Sequence, residues 1–316
     1  MTLGPAARAM PSTPRRTRSG SRRLRARLWV AMAAVLGGLF RLLPWRSAQA
    51  VGAALGRFGW RLSRRDRRRI LEHLALAFPE LSAEERERLG RACYRHLGMV
   101  AGEFLWLLRR SCRHLAPHVR MEGWEVVEAL RAEGRPILFV TGHCGNWELL
   151  GAAANCRGAE ATYVARALDE PPLQRFLAAF RSRFGGRTIE RGGAGAAREM
   201  LHALRRRGGL AMLIDQDTRV EGVWVPFFGR PAFTPVGAAR LGLRRGGVAV
   251  VPVFDRRLPD GSHLARFEPP LELPGDEVEA TAMMTRAIEA QIRRAPEQWV
   301  WMHRRWRRQP EAEVSR

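Results

Sequence analysis

From residue 28 to residue 40 the chain reads LWVAMAAVLGGLF, thirteen residues without a charge. Arg41 interrupts the run and Leu42, Leu43, Pro44 and Trp45 resume it. About 17 to 20 apolar residues are needed to cross a bilayer. The stretch 28–45 therefore predicts a membrane anchor helix, with Arg41 placed to snorkel. A signal peptide is the alternative, with SAQA ending at Ala50 as the nearest cleavage site; a buried core helix is a third. The following AVGAALGRFGWRL is amphipathic and basic, the pattern of a helix lying on an anionic bilayer surface.

Helical periodicity continues with Ile70, Leu71, Leu74, Leu76, Ala77 and Phe78 on one face, ended by Pro79. Ser82 and Glu85 have the spacing of a capping box for the next helix. MVAGEFLWLLRR reads as a further apolar helix. Beyond residue 118 short apolar runs alternate with helical patterns. Strands are expected at 137–140, 162–164, 210–214, 248–254 and 264–267, and helices at 148–155, 173–184, 194–207, 236–245 and 278–294. Such alternation defines an α/β fold with a largely parallel sheet flanked by helices. The expected organisation is a disordered basic tail (1–27), the anchor (28–45), a helical membrane-facing segment (46–118), an α/β domain (119–308) and a flexible tail (309–316).

Charge adds a partner class. The formal net charge is +23, from 54 basic and 31 acidic residues, which favours an anionic partner. Every basic residue is arginine, so the preference for guanidinium reflects codon bias more than local selection. HRRWRR near the carboxyl end could touch nucleic acid. No nucleic-acid-binding motif accompanies it, and the apolar amino-terminal segment argues against that class. The four cysteines, 93, 112, 144 and 156, have no CxxC spacing, so neither a zinc site nor a dithiol is indicated and a reducing compartment is expected.

The chemistry concentrates at GHCGNWE, residues 142–148, where a strand gives way to a helix. His143 and Glu148 are five apart, about 140° on a continuous helix, so they meet only if His143 lies in a turn and Glu148 in the first helical turn. Gly142 and Gly145 supply that freedom. Glu148 would then orient one imidazole nitrogen and leave the other as a general base. Backbone N–H groups around Gly145 and Asn146 would shape the turn or hold an oxyanion. Sites of α/β proteins collect at the carboxyl ends of strands, which favours a functional pair over a chance one. Cys144 adjoins the histidine, but neighbours in sequence do not normally converge, which disfavours a thiol nucleophile. RGGAGAA, beginning at Arg191, lacks the spacing of a phosphate loop and reads as a glycine turn before a helix.

GHCGNWE resembles the HX4(D/E) motif of the glycerolipid acyltransferases, and further blocks resemble the bacterial lipid A late acyltransferases in particular. These blocks are LALAFPELSAEER, VARALDEPPLQRFLAAFRSRFG, LIDQDTRVEGVWVPFFGRPAFTP and PEQWVWMHRRW, and the likeness spans about residues 28–308. The resemblance implies a glycerolipid-acyltransferase-like fold and an enzyme of the inner membrane with its catalytic domain on the cytoplasmic face. It implies transfer of a lauroyl- or myristoyl-type chain from acyl carrier protein to a hydroxyl of a lipid A precursor, without metal or further cofactor. His143 would be the base and Glu148 its partner. Arg166 would engage an acceptor phosphate, Asp215 and Gln216 would contact substrate or brace the site, and His303, Arg304 and Arg305 would share the carboxyl-terminal signature. Where relatives often carry asparagine this chain has His73. The rival readings are acylation of another membrane acceptor (a phosphatidylinositol mannoside or a lysophospholipid) and a structural membrane protein with a decayed site.

Overall fold

The computed structural model describes residues 20–310, apart from 167, 169, 194, 206, 207, 245 and 246. Residues 1–19 of the expected basic tail and 311–316 of the carboxyl tail lie outside the described residues, as do parts of the helices expected at 194–207 and 236–245.

Four helices come first: α1 (Gly20–Phe40), α2 (Trp45–Leu62), α3 (Arg64–Ala77) and α4 (Ala83–Leu107). Residues 20–27, expected in the tail, are helical, because their Arg, Leu and Ala residues favour backward propagation of the apolar helix. The anchor expected over 28–45 is corrected. The helix stops at Phe40, a turn follows, and Pro44, which lacks an N–H, precedes a second helix. No helix among the described residues is long and apolar enough to cross a membrane.

Ser82 and Glu85 form the capping box, with Oγ accepting from Glu85 N at 3.2 Å and Oε2 accepting from Ser82 N at 2.8 Å. From there α4 runs 25 residues without a break, joining two helices that the sequence pattern separated. It packs on α2 at backbone distance. A Cβ on Gly98 would stand 2.1 Å from the Gly52 carbonyl oxygen, and one on Gly56 would stand 2.2 Å from that of Tyr94. The opposite face of α2 leaves Val51, Leu55, Phe58 and Leu62 exposed.

After the short α5 (Cys112–Leu115) the chain enters a sheet of seven strands. These are β1 (Val119–Glu122), β2 (Ile137–Thr141), β3 (Thr162–Arg166), β4 (Arg187–Arg191), β5 (Leu210–Leu213), β8 (Ala249–Arg257) and β9 (His263–Phe267), in the order β1-β9-β8-β2-β5-β3-β4. All neighbours are parallel except β8 and β9. A separate hairpin pairs β6 (Gly222–Phe227) with β7 (Arg230–Pro235). The remaining helices are α6 (Trp124–Ala132), α7 (Trp147–Cys156), α8 (Pro171–Arg183), α9 (Ala196–Leu204), α10 (Gly237–Gly242) and α11 (Glu277–Arg294).

Every residue of β2 is buried, which explains its unbroken apolar run. Leu138, Val140, Leu210, Met212 and Val250 share one core with α10, α11 and the hairpin. Ile137, Phe139, Ala211 and Val251 face α6 and α7 on the other side. β1 and β4 escaped the sequence reading because VRME and RTIER carry no apolar run. The expectation of a reducing compartment meets a contrary feature: Cys112 and Cys156 are joined as a disulfide.

Candidate active site

β2 delivers residues 142–146 to the carboxyl edge of the sheet, and α7 starts at Trp147. The turn between them is fixed from beneath. Gly145 has φ +59, and a Cβ there would stand 2.3 Å from the Asp255 carbonyl oxygen. Asn146 caps α7, its Oδ1 accepting from Leu149 N at 3.1 Å while its Nδ2 donates to Glu103 Oε2 at 2.8 Å. Gly145 N donates to Gln298 O at 2.9 Å and Asn146 N to Asp255 Oδ2 at 2.7 Å. Both N–H groups are directed inward, so the oxyanion role considered for Gly145 and Asn146 gives way to the turn role. Cys144 is buried, and desolvation followed by the charges of Asp215 and Asp255 pushes its thiol far above the ordinary range, the reverse of an activated nucleophile.

The histidine's partner is Asp215 and not the expected Glu148. Parallel pairing of β2 with β5 brings the end of β5 beside residue 141, with Ile214 N donating to Thr141 O at 3.2 Å. Asp215 then meets His143 twice: Oδ1 lies 2.7 Å from Nδ1 and Oδ2 accepts from the His143 backbone N at 2.7 Å. Trp299 Nε1 also donates to Oδ2, at 2.8 Å. Burial alone would raise this carboxyl, but the His143 charge and these hydrogen bonds outweigh it and hold the group far below the usual carboxylate range. Glu148 lies in the first turn of α7 and projects toward α8. Arg181 grips it bidentately, Nη2 to Oε1 at 2.5 Å and Nε to Oε2 at 3.0 Å.

Gln216 places its amide nitrogen 3.1 Å from both ring nitrogens of His143 and 2.7 Å from His303 Nδ1. His303 therefore joins the site. Desolvation, followed by the nearby His143, lowers its pKa to about 4, which keeps it neutral near pH 7. Arg305 is buried and donates to Phe233 O and Thr234 Oγ1, both at 2.6 Å; Arg304 is exposed. His73 Nδ1 lies 2.7 Å from Trp301 O, and its ring packs edge-on against Trp306.

A cavity of about 190 Å³ opens beside His143. Its mouth carries Gln216, Thr218, Arg166 and Arg191, and Glu148 and Arg181 line its wall. Inward it runs between α7 and the sheet past Leu150, Ala154, Ala161, Ala211 and Phe139. The void exists because alanines stand where larger side chains would close the core. Phe227 and Phe228 of the WVPFFG segment pack in the opposite core, against Trp299 and Trp301.

Under the turn lies a buried ionic cluster. Glu103 accepts from Arg257 Nη2 at 2.7 Å and sits 3.1 Å from His263 Nε2, and His263 Nδ1 lies 2.8 Å from Asp255 Oδ2. Desolvation opposes the His263 charge, but Asp255 and Glu103 overcome it and raise its pKa to about 9. His96 is driven the other way, by burial and then by Arg257, and as a neutral ring its Nε2 stands 3.1 Å from Gly145 O. Among the described residues no group of three or more His, Cys, Asp or Glu side chains is arranged to hold a metal ion.

Sequence reasoning missed Arg181, Arg191, Trp299 and the buried cluster as parts of this site. The signals were there without a role attached: Arg181 lies in the VARALDEPPLQRFLAAFRSRFG block, Arg191 begins RGGAGAA and Trp299 lies in PEQWVWMHRRW.

The structure is thus an α/β protein with a histidine–carboxylate pair at the carboxyl edge of a largely parallel sheet, opening on a mainly apolar cavity. The family follows from comparison: the model of the bacterial lipid A biosynthesis acyltransferases matches residues 17–308, and the chain belongs to that family. It is 30% identical over 279 residues to the lipid A biosynthesis lauroyltransferase of Escherichia coli (strain K12), covering 87% of this chain and 90% of the relative. The lipid A biosynthesis myristoyltransferase of the same organism is 25% identical over 281 residues, covering 87% and 84%. The phosphatidylinositol mannoside acyltransferase of Mycolicibacterium smegmatis is 27% identical over 186 residues, 58% of this chain and 59% of the relative.

Proposed function

We propose that this acyltransferase moves a fatty acyl chain from the thioester of acyl carrier protein to a hydroxyl of a lipid A precursor, at the cytoplasmic surface of the bacterial inner membrane. The observation that carries the reading is the His143–Asp215 pair at the mouth of an apolar cavity. With Asp215 ionised, Nδ1 donates to it and Nε2 keeps its lone pair. Nε2 takes the acceptor hydroxyl proton as the oxygen attacks the thioester carbonyl. The tetrahedral intermediate collapses, the C–S bond breaks, and the departing thiolate recovers that proton from Nε2. The Gln216 amide, which stands 3.1 Å from both ring nitrogens of His143, supplies an N–H for the oxyanion. The acyl chain lies in the cavity. Arg166 meets an acceptor phosphate, and Glu148 holds Arg181 against the cavity wall. The scheme calls on no group beyond the two substrates.

Membrane contact is assigned to the exposed apolar residues of α1 and α2, including Trp29, Val35, Leu55 and Phe58. Such helices lie in the interface without crossing it. The test is incubation of the protein with acyl carrier protein charged with C12 to C16 chains and a tetra-acylated lipid A precursor, read by product mass. One added chain, lost in His143→Ala, supports the reading. No added chain with any donor refutes that acceptor and directs the same assay to phosphatidylinositol mannosides and lysophospholipids.

A further inference from the structure

Arg191 is a second cation at the mouth of the cavity, and nothing in the chemistry above uses it. β3 and β4 pair in parallel with Arg166 opposite Arg191, so the two arginines end neighbouring strands at the same edge. Both line the cavity that holds His143. Arg191 Nη1 donates to Thr218 Oγ1 at 3.3 Å, which ties the guanidinium to the loop that also carries Gln216. Burial, followed by the charge of Arg166, lowers the Arg191 pKa. A phosphate anion between the two guanidiniums would face both, since planar bidentate donors suit phosphate oxygens.

We infer that Arg191, Arg166 and Thr218 form a two-armed clamp for a phosphate group of a substrate, holding it at the cavity mouth while the reacting carbon lies beside His143. The inference rests on the acyltransfer reading for the identity of the substrates. Two sources share this chemistry: the phosphomonoester of a lipid A precursor and the phosphodiester of the carrier's pantetheine arm.

The experiment compares wild type with Arg191→Gln and Arg191→Lys. Initial rates and equilibrium binding are measured for four substrates: the precursor with and without its phosphates, and acyl-phosphopantetheine and acyl-pantetheine thioesters. Arg191→Gln is expected to raise KM and Kd for one phosphorylated substrate about tenfold or more, the worth of a charge-assisted hydrogen bond, with kcat little changed. Its phosphate-free counterpart should be unaffected, and Arg191→Lys should recover part of the loss. A loss confined to the precursor assigns the clamp to the acceptor; a loss confined to the pantetheine thioester assigns it to the donor. Unchanged KM and Kd for both phosphorylated substrates overturns the clamp. Absence of turnover in wild type counts against the reaction and leaves the clamp to be decided by the binding arm. Thermal melting of each variant separates lost binding from lost folding.

Discussion

A methyl group on Gly145 would meet the carbonyl oxygen of Asp255 at 2.3 Å, and φ there is +59. Gly145→Ala is therefore expected to lower stability by about 2 kcal/mol or more and to displace His143. Urea unfolding and activity should fall together. At the cavity wall the change is gentler. Ala211 lines the void from β5. Ala211→Leu should shift the preferred acyl donor toward shorter chains while the rate with the shortest accepted donor is kept, read by competition among C10 to C16 donors. The residue scale is also where the sequence was most and least legible. His143 stood out because histidine between glycines at a strand end has few structural uses. Asp215 was named only through the family resemblance, as a substrate contact or a brace, and not as the hydrogen-bond partner of His143, because it lies 72 positions away and only the β2–β5 pairing makes them neighbours. Glu148 was the nearer carboxylate in sequence, but α7 carries it toward Arg181.

Among the elements, α2 shows two kinds of face. One is drawn to α4 by glycines; the other exposes Val51, Leu55, Phe58 and Leu62 at helical spacing beside Arg57 and Arg61. Replacing Leu55 and Phe58 with glutamate should reduce co-sedimentation with anionic phospholipid vesicles several-fold and leave thermal stability nearly unchanged, since both side chains are exposed in the fold. The amphipathic pattern of this helix was readable because burial on one side and apolar exposure on the other both leave periodic traces. α1 misled because apolar length alone does not show where a helix ends. The turn after Phe40 and Pro44 decides that. Strand prediction succeeded for β2, β5 and β8, which are largely buried on both faces, and failed for β4, whose RTIER sequence has one apolar residue among polar and charged ones at the sheet edge.

Across the whole molecule, the catalytic edge rests on the buried cluster that joins α4, β8 and β9. Its titration sets a pH dependence whose sign can be worked out. His263 is raised from 6.5 to about 9 by Asp255 and Glu103, against desolvation and with Arg257 and His96 close by. The folded state thus binds the proton more tightly than the unfolded one. This stabilisation is fully present below about pH 6.5 and is lost as pH rises through about 9. Tm should fall across that window in wild type, and the fall should be much shallower in His263→Gln, whatever that variant's overall stability. A slope of equal size in the variant would assign it to other groups.

The central claim is that His143 acts as the base through Asp215, with Glu148 serving the cavity wall. Its most direct test is kcat for Asp215→Asn and Glu148→Gln in the acyl-transfer assay, each compared with wild type at saturating substrates. Asn at 215 should cost about 10²-fold or more, because it loses the charge that orients and stabilises the imidazolium. Gln at 148 should cost clearly less. Loss of activity in Glu148→Gln with Asp215→Asn near wild type would contradict the account and restore Glu148 as the partner of His143.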